Sequence, residues 1–271
     1  MGIADALFTY MAKRLPPHSL GRSCATLGRQ HVYLEPERAL AIAAEAGLVA
    51  ASGQAGYQFP EQHPFVRTHR EGRDVVKGSG LVGKLTDIAL MNLLGFEEVL
   101  SIDVSAFEGA DIEMDLNAVD AACNLGRRFD FIFDGGTLEH VFHVPNALKN
   151  IFDLLAVGGC IFHFSPSNNY VDHGFYQFSP TLLHDYYAAN RFSILSCDFI
   201  QHSKEVNVPF RLMNYTPGSL DSVSFGGMDD MLYAVAILAR RNADSSCNVV
   251  PQQSYYSRQA AWRNGRGDGA A

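Results

Sequence analysis

The sequence lacks several features that assign a chain quickly to one class of protein. No apolar run reaches the roughly 20 residues of a membrane span, and the basic residues form no long cluster. The five cysteines are scattered and never spaced as CxxC, which argues against a disulfide framework or a zinc ribbon. There is no P-loop and no internal repeat. A globular protein without these devices is the expectation that remains.

The composition fits a protein with a large core and an acidic surface. Hydrophobic residues make up 47% of the 271, which excludes a chain that is disordered throughout. The net charge of −8 argues against nucleic acid as the main partner. Residues 1–15 lack a basic start followed by an apolar block, so they do not read as a signal peptide. We therefore expect a cytoplasmic protein with neither a nucleic-acid nor a membrane partner.

The stretch around which the chain is organised is residues 128–165. Apolar runs at 129–133 and 160–164 predict two buried strands, and between them apolar residues recur every three or four positions, as on one helix face. Pro145 suits the first turn of this helix and Gly158 suits its end. Strand, helix and strand form a βαβ unit, and ligands of such sheets bind beyond the carboxyl ends of the strands.

The remaining elements repeat this alternation. Further strands are predicted at 22–30, 98–103, 110–116, 192–200 and 231–239. Helices are predicted at 1–17, 35–46 and 80–94, and another begins at Ser179-Pro180, with serine as N-cap and proline in the first turn. Alternating strands and helices are typical of an α/β protein.

Three segments carry a resemblance to a known family. FDFIFDGGTLEHV, LLAVGGCIFHFSP and HGFYQFSPTLLHDYYAANRFSI resemble the later motifs of class I S-adenosylmethionine-dependent methyltransferases. The resemblance covers roughly residues 99–200 and is weak in the N-terminal third. It implies an α/β fold with a doubly wound, mostly parallel, seven-stranded Rossmann-like sheet, an antiparallel last strand and helices on both faces. It also implies S-adenosylmethionine as the cofactor.

The loop after the first predicted strand departs from the family pattern. The family has a glycine-rich turn there, whereas this chain has Leu27-Gly28-Arg29-Gln30-His31 with a single glycine. Gly28 can still serve a tight turn. Arg29 either pairs with the cofactor carboxylate or holds a neighbouring acid, and both alternatives stay open.

The resemblance implies further cofactor contacts at the later strand ends. Asp103 would accept the ribose hydroxyls, with a turn-capping aspartate as the alternative. Asp115 would lie near the adenine, and Leu116 would pack against its ring. Asp134 would lie nearest the transferred methyl, and Gly135 would let the backbone pass close to a ligand.

Candidate catalytic residues are His140, His173 and Asp134. A neutral imidazole near pH 7 can act as a base for an oxygen acceptor, although either histidine can instead be structural. His140 and His143 are three residues apart on one predicted helix face, but no third ligand is nearby in sequence. We therefore expect no metal site.

The predicted organisation has three parts. An N-terminal helix at 1–21 precedes a methyltransferase-like domain at 22–241, and residues 242–271 have the composition of a mostly disordered tail. Residues 48–80 form an insertion rich in aromatics, proline and glycine. It is either a lid over the acceptor or a surface decoration.

The function expected from these observations is methyl transfer from S-adenosylmethionine to a small-molecule acceptor. The alternative is a non-catalytic methyltransferase-like binding protein, which the reduced glycine loop motivates. A nicotinamide enzyme is disfavoured because GxGxxG is missing after the first strand.

Overall fold

The computed structural model describes residues 2–15, 20–48, 83–205 and 208–258. Its helices are α1 (Asp5–Arg14), α2 (Pro36–Glu45), α3 (Asp87–Leu93), α4 (Val144–Leu154), α5 (Pro180–Ala189) and α6 (Ser254–Arg258). Its strands are β1 (Ser23–Leu27), β2 (Glu98–Asp103), β3 (Ile112–Glu113), β4 (Phe129–Asp134), β5 (Leu155–Asn168), β6 (Ser193–His202), β7 (Arg211–Asn214) and β8 (Leu232–Arg240). Short 3₁₀ turns include Ala106–Glu108, Ala121–Asn124 and Leu138–His140.

The strands form one sheet in the order β3-β2-β1-β4-β5-β8-β6-β7. β1 to β5 are all parallel, whereas β8 lies antiparallel to both β5 and β6. This confirms the predicted mostly parallel sheet with an antiparallel last strand. The predicted number of seven strands is wrong by one, because β7 adds an antiparallel edge strand beside β6. β7 has four residues, none of them fully buried, so its sequence shows no alternation of apolar and polar residues.

Helices cover both faces of the sheet. One core cluster joins β1 and β4 to α1, α2 and α3, and the other joins the same strands to α4 and α5. Side chains of β4 divide between the two, with Phe131 and Phe133 in the first cluster and Phe129 and Ile132 in the second. A strand buried on both faces in this way is mainly apolar, as a parallel sheet between helix layers requires.

The central βαβ unit forms as predicted except at one boundary. Pro145 lies in the first turn of α4, but the helix ends at Leu154, before Gly158. Leu155 is already extended and pairs with Phe129 of β4, so strand pairing takes over before the glycine is reached. Gly158 instead has φ +86° inside β5, and its N–H donates to the carbonyl of Arg241.

The N-terminal helix packs as part of the main core. Leu7, Phe8 and Met11 of α1 are buried in the first cluster, and Ile3 forms a parallel bridge with Val32. The domain boundaries given above stay predictions. The insertion at 48–80 falls outside the described residues from position 49 onward, as does the tail from 259. Within the tail, Ser246 and Val249 each donate a backbone N–H to Asn190 at the end of α5.

No helix in the described ranges combines the length and the apolar character needed to cross a membrane.

Candidate functional site

A cavity of about 390 Å³ lies at the carboxyl ends of β1 and β2. Six residues selected from the sequence line it: Gly28, Arg29, Asp103, Asp115, Leu116 and His140. Asp134, Gly135 and His173 do not line it. The volume falls within the roughly 300–1,000 Å³ of small-molecule sites. The sheet therefore brings together residues from the ends of four parallel strands, β1 to β4, where the parallel-strand rule places a ligand.

A larger cavity, of about 580 Å³, is lined by α1, α2 and the segment leading into β7. None of the site residues predicted from the sequence lines it. The smaller cavity is the candidate site because the predicted binding and catalytic residues converge there.

Gly28 forms the turn that ends β1. Its φ is +70°, and its N–H donates to the carbonyl of Ile102 over 2.6 Å. A Cβ at this position would lie 3.1 Å from Oγ1 of Thr137 and 3.6 Å from Oδ2 of Asp103. Both the left-handed backbone and the close approach of Thr137 favour glycine. One glycine is therefore enough to make the tight turn expected here.

Arg29 is held by a neighbouring acid. Its Nε and Nη2 donate to the two carboxylate oxygens of Asp87 at 3.0 and 2.7 Å, and both side chains are almost fully buried. Asp87 begins α3 and also accepts the backbone N–H of Gln30. Of the two alternatives for Arg29, the structure shows this ion pair, and contact with a cofactor carboxylate stays a prediction. Sequence reasoning missed Asp87, whose one local signal is the N-cap Thr86 that precedes it.

Asp103 ends β2 at the cavity wall. Its Oδ1 accepts the N–H of Val104 at 2.6 Å, which is the turn-capping alternative. Its Oδ2 faces Gly28 across the start of the cavity. The cap uses one carboxylate oxygen and leaves the other directed at the site, so the two alternatives for Asp103 are compatible.

Asp115 and Leu116 lie at the far wall. Oδ1 of Asp115 accepts the backbone and side-chain N–H groups of Asn117 at 2.8 and 2.9 Å. Leu116 is buried, and Met114 and Val141 add apolar surface beside it. This wall combines a carboxylate held by hydrogen bonds with apolar side chains.

Asp134 lies beneath the cavity and is fully buried. Its Oδ1 accepts the N–H groups of Thr137 and Leu138, and its Oδ2 lies 2.6 Å from Nδ1 of His163. Asp134 is not among the residues that line the cavity, and its proximity to the transferred methyl stays a prediction. The carboxylate organises the turn after β4, a role that sequence spacing does not reveal.

Gly135 follows Asp134 beneath the cavity. A Cβ there would meet the ring of Phe133 at 2.4 Å and Oε1 of Gln30 at 2.6 Å. The close approach predicted for Gly135 therefore occurs, but toward protein atoms. Gly136, with φ +103°, is the glycine of this pair that lines the cavity.

Glu139, His140 and His173 form a cluster beside the cavity. Nε2 of His173 lies 3.5 Å and Nε2 of His140 lies 3.9 Å from Oε1 of Glu139. Glu139 is fully buried, whereas the two imidazoles are partly exposed. Backbone N–H groups of Phe175 and Tyr176 donate to the Glu139 carbonyl, which holds the loop after β5 against the Leu138–His140 turn.

Burial sets the protonation of this cluster. Burial, and after it the negative charge of Asp134, raises the pKa of Glu139 to about 8. Burial also lowers the pKa of His140 and of His173, so both imidazoles are neutral near pH 7. The imidazoles of the cluster can accept a proton, and its nitrogen and oxygen atoms are possible ligands for a cation.

No protein-family model matches the sequence, and no curated protein is similar to it in sequence. Several solved structures are similar in part. TehB from Haemophilus influenzae is 19% identical with a TM-score of 0.36, over 58% of this chain and 53% of TehB. The trans-methyltransferase CalH, solved with S-adenosylhomocysteine, is 14% identical with a TM-score of 0.37, over 88% of this chain and 55% of CalH. An S-adenosylmethionine-dependent methyltransferase from Clostridium acetobutylicum is 11% identical with a TM-score of 0.29, over 57% of this chain and 80% of that protein.

The match therefore spans about half the length of TehB and of CalH. The strand order, rather than these partial likenesses, carries the assignment of the fold. The parallel order β3-β2-β1-β4-β5, followed by antiparallel β8 between β5 and β6, agrees with the mostly parallel sheet with an antiparallel last strand that the resemblance implies. The fold is a doubly wound, Rossmann-like α/β fold.

Within this fold, sequence reasoning left two sets of residues without a role. His163 and Tyr187, which complete a buried hydrogen-bond chain from Asp134, lie inside apolar patterns that do not distinguish them from core residues. Glu139 follows β4 in the LEH segment but had no role assigned, because its partner His173 is in a different loop. The only sequence signal for that pair is that both loops follow neighbouring parallel strands.

Proposed function

We propose that this protein transfers a methyl group from S-adenosylmethionine to a small-molecule acceptor. One observation carries the proposal. Gly28, Asp103, Asp115 and Leu116, selected from the sequence as cofactor residues, line a single cavity at the carboxyl ends of β1 and β2. Three separate chain segments converge there, which supports a common ligand.

The cavity residues fit the proposed cofactor. The turn at Gly28 leaves room where any side chain would meet Thr137, so a ligand can approach the backbone closely. Oδ2 of Asp103 is directed at the same space and can accept ribose hydroxyl groups. The apolar wall around Leu116 and Met114 suits an adenine ring.

The bound cofactor supplies an activated methyl group, so the protein's own part is to hold an acceptor in line with it. An oxygen acceptor must also lose its proton. His140 lines the cavity and His173 lies next to it, and burial keeps both imidazoles in the neutral form that can take the proton. The acidic net charge favours a small molecule over nucleic acid as the acceptor.

A second candidate is a methyltransferase-like binding protein without catalysis. The ion pair between Arg29 and Asp87 supports it, because the pair uses the one cation of the first loop that was available for a cofactor carboxylate. Under this alternative the cofactor or its product binds, and no acceptor is methylated.

Calorimetric titration with S-adenosylmethionine and S-adenosylhomocysteine tests the proposal. The parent and Glu98→Ala should bind, and Asp103→Ala should bind at least about tenfold more weakly, since a hydrogen bond to a charged group contributes about 1.5–3 kcal/mol. Glu98 is the matched control because it is an exposed acid at the opposite end of β2. If the parent binds neither ligand, the proposal fails. Equal binding by Asp103→Ala would overturn the ribose assignment.

A further inference from the structure

The carboxyl group of Glu139 is buried beside two histidines and makes no hydrogen bond within the described ranges. It is fully buried, and neither of its carboxylate oxygens has a hydrogen-bond partner among the described residues. No lysine or arginine forms an ion pair with it in the part of the chain that the structure describes. A buried carboxylate that is neither paired nor hydrogen-bonded is costly, so such a group either takes up a proton or gives up that proton to bind a cation.

The two histidines beside Glu139 complete a set of ligand atoms. One donor atom each from Glu139, His140 and His173 lie within 4.8 Å of one another. Ligands bound at about 2.1 Å to one tetrahedral ion lie about 3.4 Å apart. The 3.5 and 3.9 Å separations from Oε1 of Glu139 are close to this spacing. Small side-chain rotations would close the remaining gap.

Nε2 of His173 is also a buried atom without a hydrogen-bond partner among the described residues. Glu139 follows β4 and His173 follows β5. Their side chains thus bring two possible metal-ligand atoms, both without hydrogen bonds in the described part of the chain, close together. The side chains of His140 and His173 are 49% and 34% exposed, so the cluster borders on solvent although the ligand atoms of Glu139 and His173 are themselves buried.

A second cluster of possible metal ligands differs because a lysine already neutralises its carboxylates. Asp120, Cys123 and Asp153 also lie close together, but Nζ of Lys149 is 2.6 Å from Asp120 and 2.7 Å from Asp153. The lysine already supplies the positive charge there. Nothing comparable lies against Glu139 within the described ranges.

We propose that Glu139, His140 and His173 bind one divalent transition-metal ion. Two imidazoles with one carboxylate form the three-ligand set of catalytic zinc sites and of the facial triad that binds Fe²⁺. Nitrogen ligands make Ca²⁺ and Mg²⁺ poor occupants, because both prefer oxygen. Three protein ligands leave coordination positions open for water or for another molecule.

One consequence rests on the proposed function. His140 belongs both to this cluster and to the wall of the cavity, so an open coordination position would lie beside the proposed cofactor. A metal ion lowers the pKa of a hydroxyl group bound to it. An oxygen acceptor would then lose its proton to solvent at the ion, and the liganded imidazole nitrogens would not serve as the base.

Equilibrium dialysis of the tag-free, chelator-treated full chain against Zn²⁺ tests the site directly. All proteins carry Cys123→Ser, so that this exposed thiol does not bind zinc. The parent should bind one ion per chain, and Glu139→Gln and His173→Asn should each bind at least about tenfold more weakly. His143→Asn is the matched control, since His143 is an exposed histidine three positions from His140 that is not part of the cluster.

Replacement by Co²⁺ adds a spectroscopic test. A four- or five-coordinate Co²⁺ site in the parent should give intense visible absorption that His173→Asn loses and His143→Asn keeps. His173 lies on a partly exposed loop, so its replacement threatens the fold less than that of buried Glu139, and circular dichroism checks this. Absence of binding by the parent, or equal loss in His143→Asn, overturns the proposal. Because no cofactor is added, failure here is separate from failure to bind S-adenosylmethionine.

Discussion

Oδ2 of Asp134 lies 2.6 Å from Nδ1 of His163, and neither side chain is exposed to solvent. Nε2 of His163 in turn lies 2.6 Å from the hydroxyl of Tyr187 on α5. The chain of contacts links the turn after β4, the strand β5 and a helix on one face of the sheet. Through the N–H groups of Thr137 and Leu138, the same carboxylate fixes the turn that carries Glu139 and His140.

Removing the Tyr187 hydroxyl should destabilise the fold. Tyr187→Phe leaves a buried nitrogen of His163 without a partner, which costs about 1–3 kcal/mol of the free energy of unfolding. Tyr186→Phe is the matched control, because the neighbouring hydroxyl makes only a long 3.4 Å contact with the Cys247 carbonyl. Urea denaturation of both variants measures the difference. If Tyr186→Phe were as destabilising as Tyr187→Phe, the buried hydrogen-bond chain would contribute no more to the free energy of unfolding than the long Tyr186 contact does.

Gly28→Ala should weaken cofactor binding in addition to lowering stability. The left-handed backbone costs a residue with a Cβ about 1–2 kcal/mol, and here the new atom would also lie 3.1 Å from Oγ1 of Thr137 at the cavity. Gly126→Ala carries similar strain, with φ +64°, but meets nothing within 4 Å. Both variants should therefore lose stability in denaturation.

Calorimetry separates the two glycine variants. Gly28→Ala should bind S-adenosylhomocysteine at least several-fold more weakly than the parent, and Gly126→Ala should match the parent. Equal affinity in the two variants would mean that Gly28 serves the backbone alone.

Much of the sheet could be predicted because its strands are unbroken apolar runs. The limits of β2 were predicted to the residue, since EVLSID is an apolar run that follows Gly95 and Glu97 and ends in an acid. β7 could not be predicted, because a short edge strand without buried residues has no hydrophobic signature. The end of α4 was misplaced because pairing with β4, a tertiary contact, outweighs the local signal of Gly158.

The candidate site likewise contains residues that the sequence could place and contacts that it could not. Gly28 and Asp103 follow strands directly, so the parallel-strand rule was enough to place them at one edge. The ion pair of Arg29 with Asp87 and the approach of His173 to Glu139 join segments far apart in sequence. Their proximity depends on the path of loops that carry no periodic pattern, and only the structure reveals it.

Asp87→Ala should destabilise the protein strongly. It leaves the guanidinium of Arg29 buried without its bidentate partner and removes the acceptor for the Gln30 N–H, so we expect a loss of about 3–5 kcal/mol. Arg29→Lys should recover only part of the interaction, since an ammonium cannot reproduce the planar fork. Chemical denaturation provides the measurement.

The pair between Arg22 and Glu97 is the control for this effect. Its side chains are 77% and 58% exposed, against 6% and 1% for Arg29 and Asp87. Exposed ion pairs contribute little, so Glu97→Ala should leave the denaturation midpoint nearly unchanged. A comparable loss in both variants would mean that burial of the Arg29 pair does not determine its contribution.

Asp130 should make stability depend on pH in the acid range. Burial alone would raise its pKa, but hydrogen bonds from the N–H groups of Arg22 and Ser23 and from the Ser23 hydroxyl lower the pKa of Asp130 below its ordinary value. A pKa lower in the folded than in the unfolded state means that the carboxylate stabilises the fold above the ordinary value of about 3.9. This contribution is lost as pH falls through the folded-state pKa.

Thermal unfolding of the parent and of Asp130→Asn between pH 6 and pH 2 measures this contribution. The variant should be less stable at pH 6, because a neutral amide oxygen accepts the same N–H groups more weakly than a carboxylate does. Toward pH 2 the difference between the two proteins should shrink, since the parent's side chain becomes neutral as well. A constant difference across the range would contradict the lowered pKa, and a growing difference would reverse its sign. Asp221→Asn, in an exposed turn, controls for the general effect of removing one acidic group.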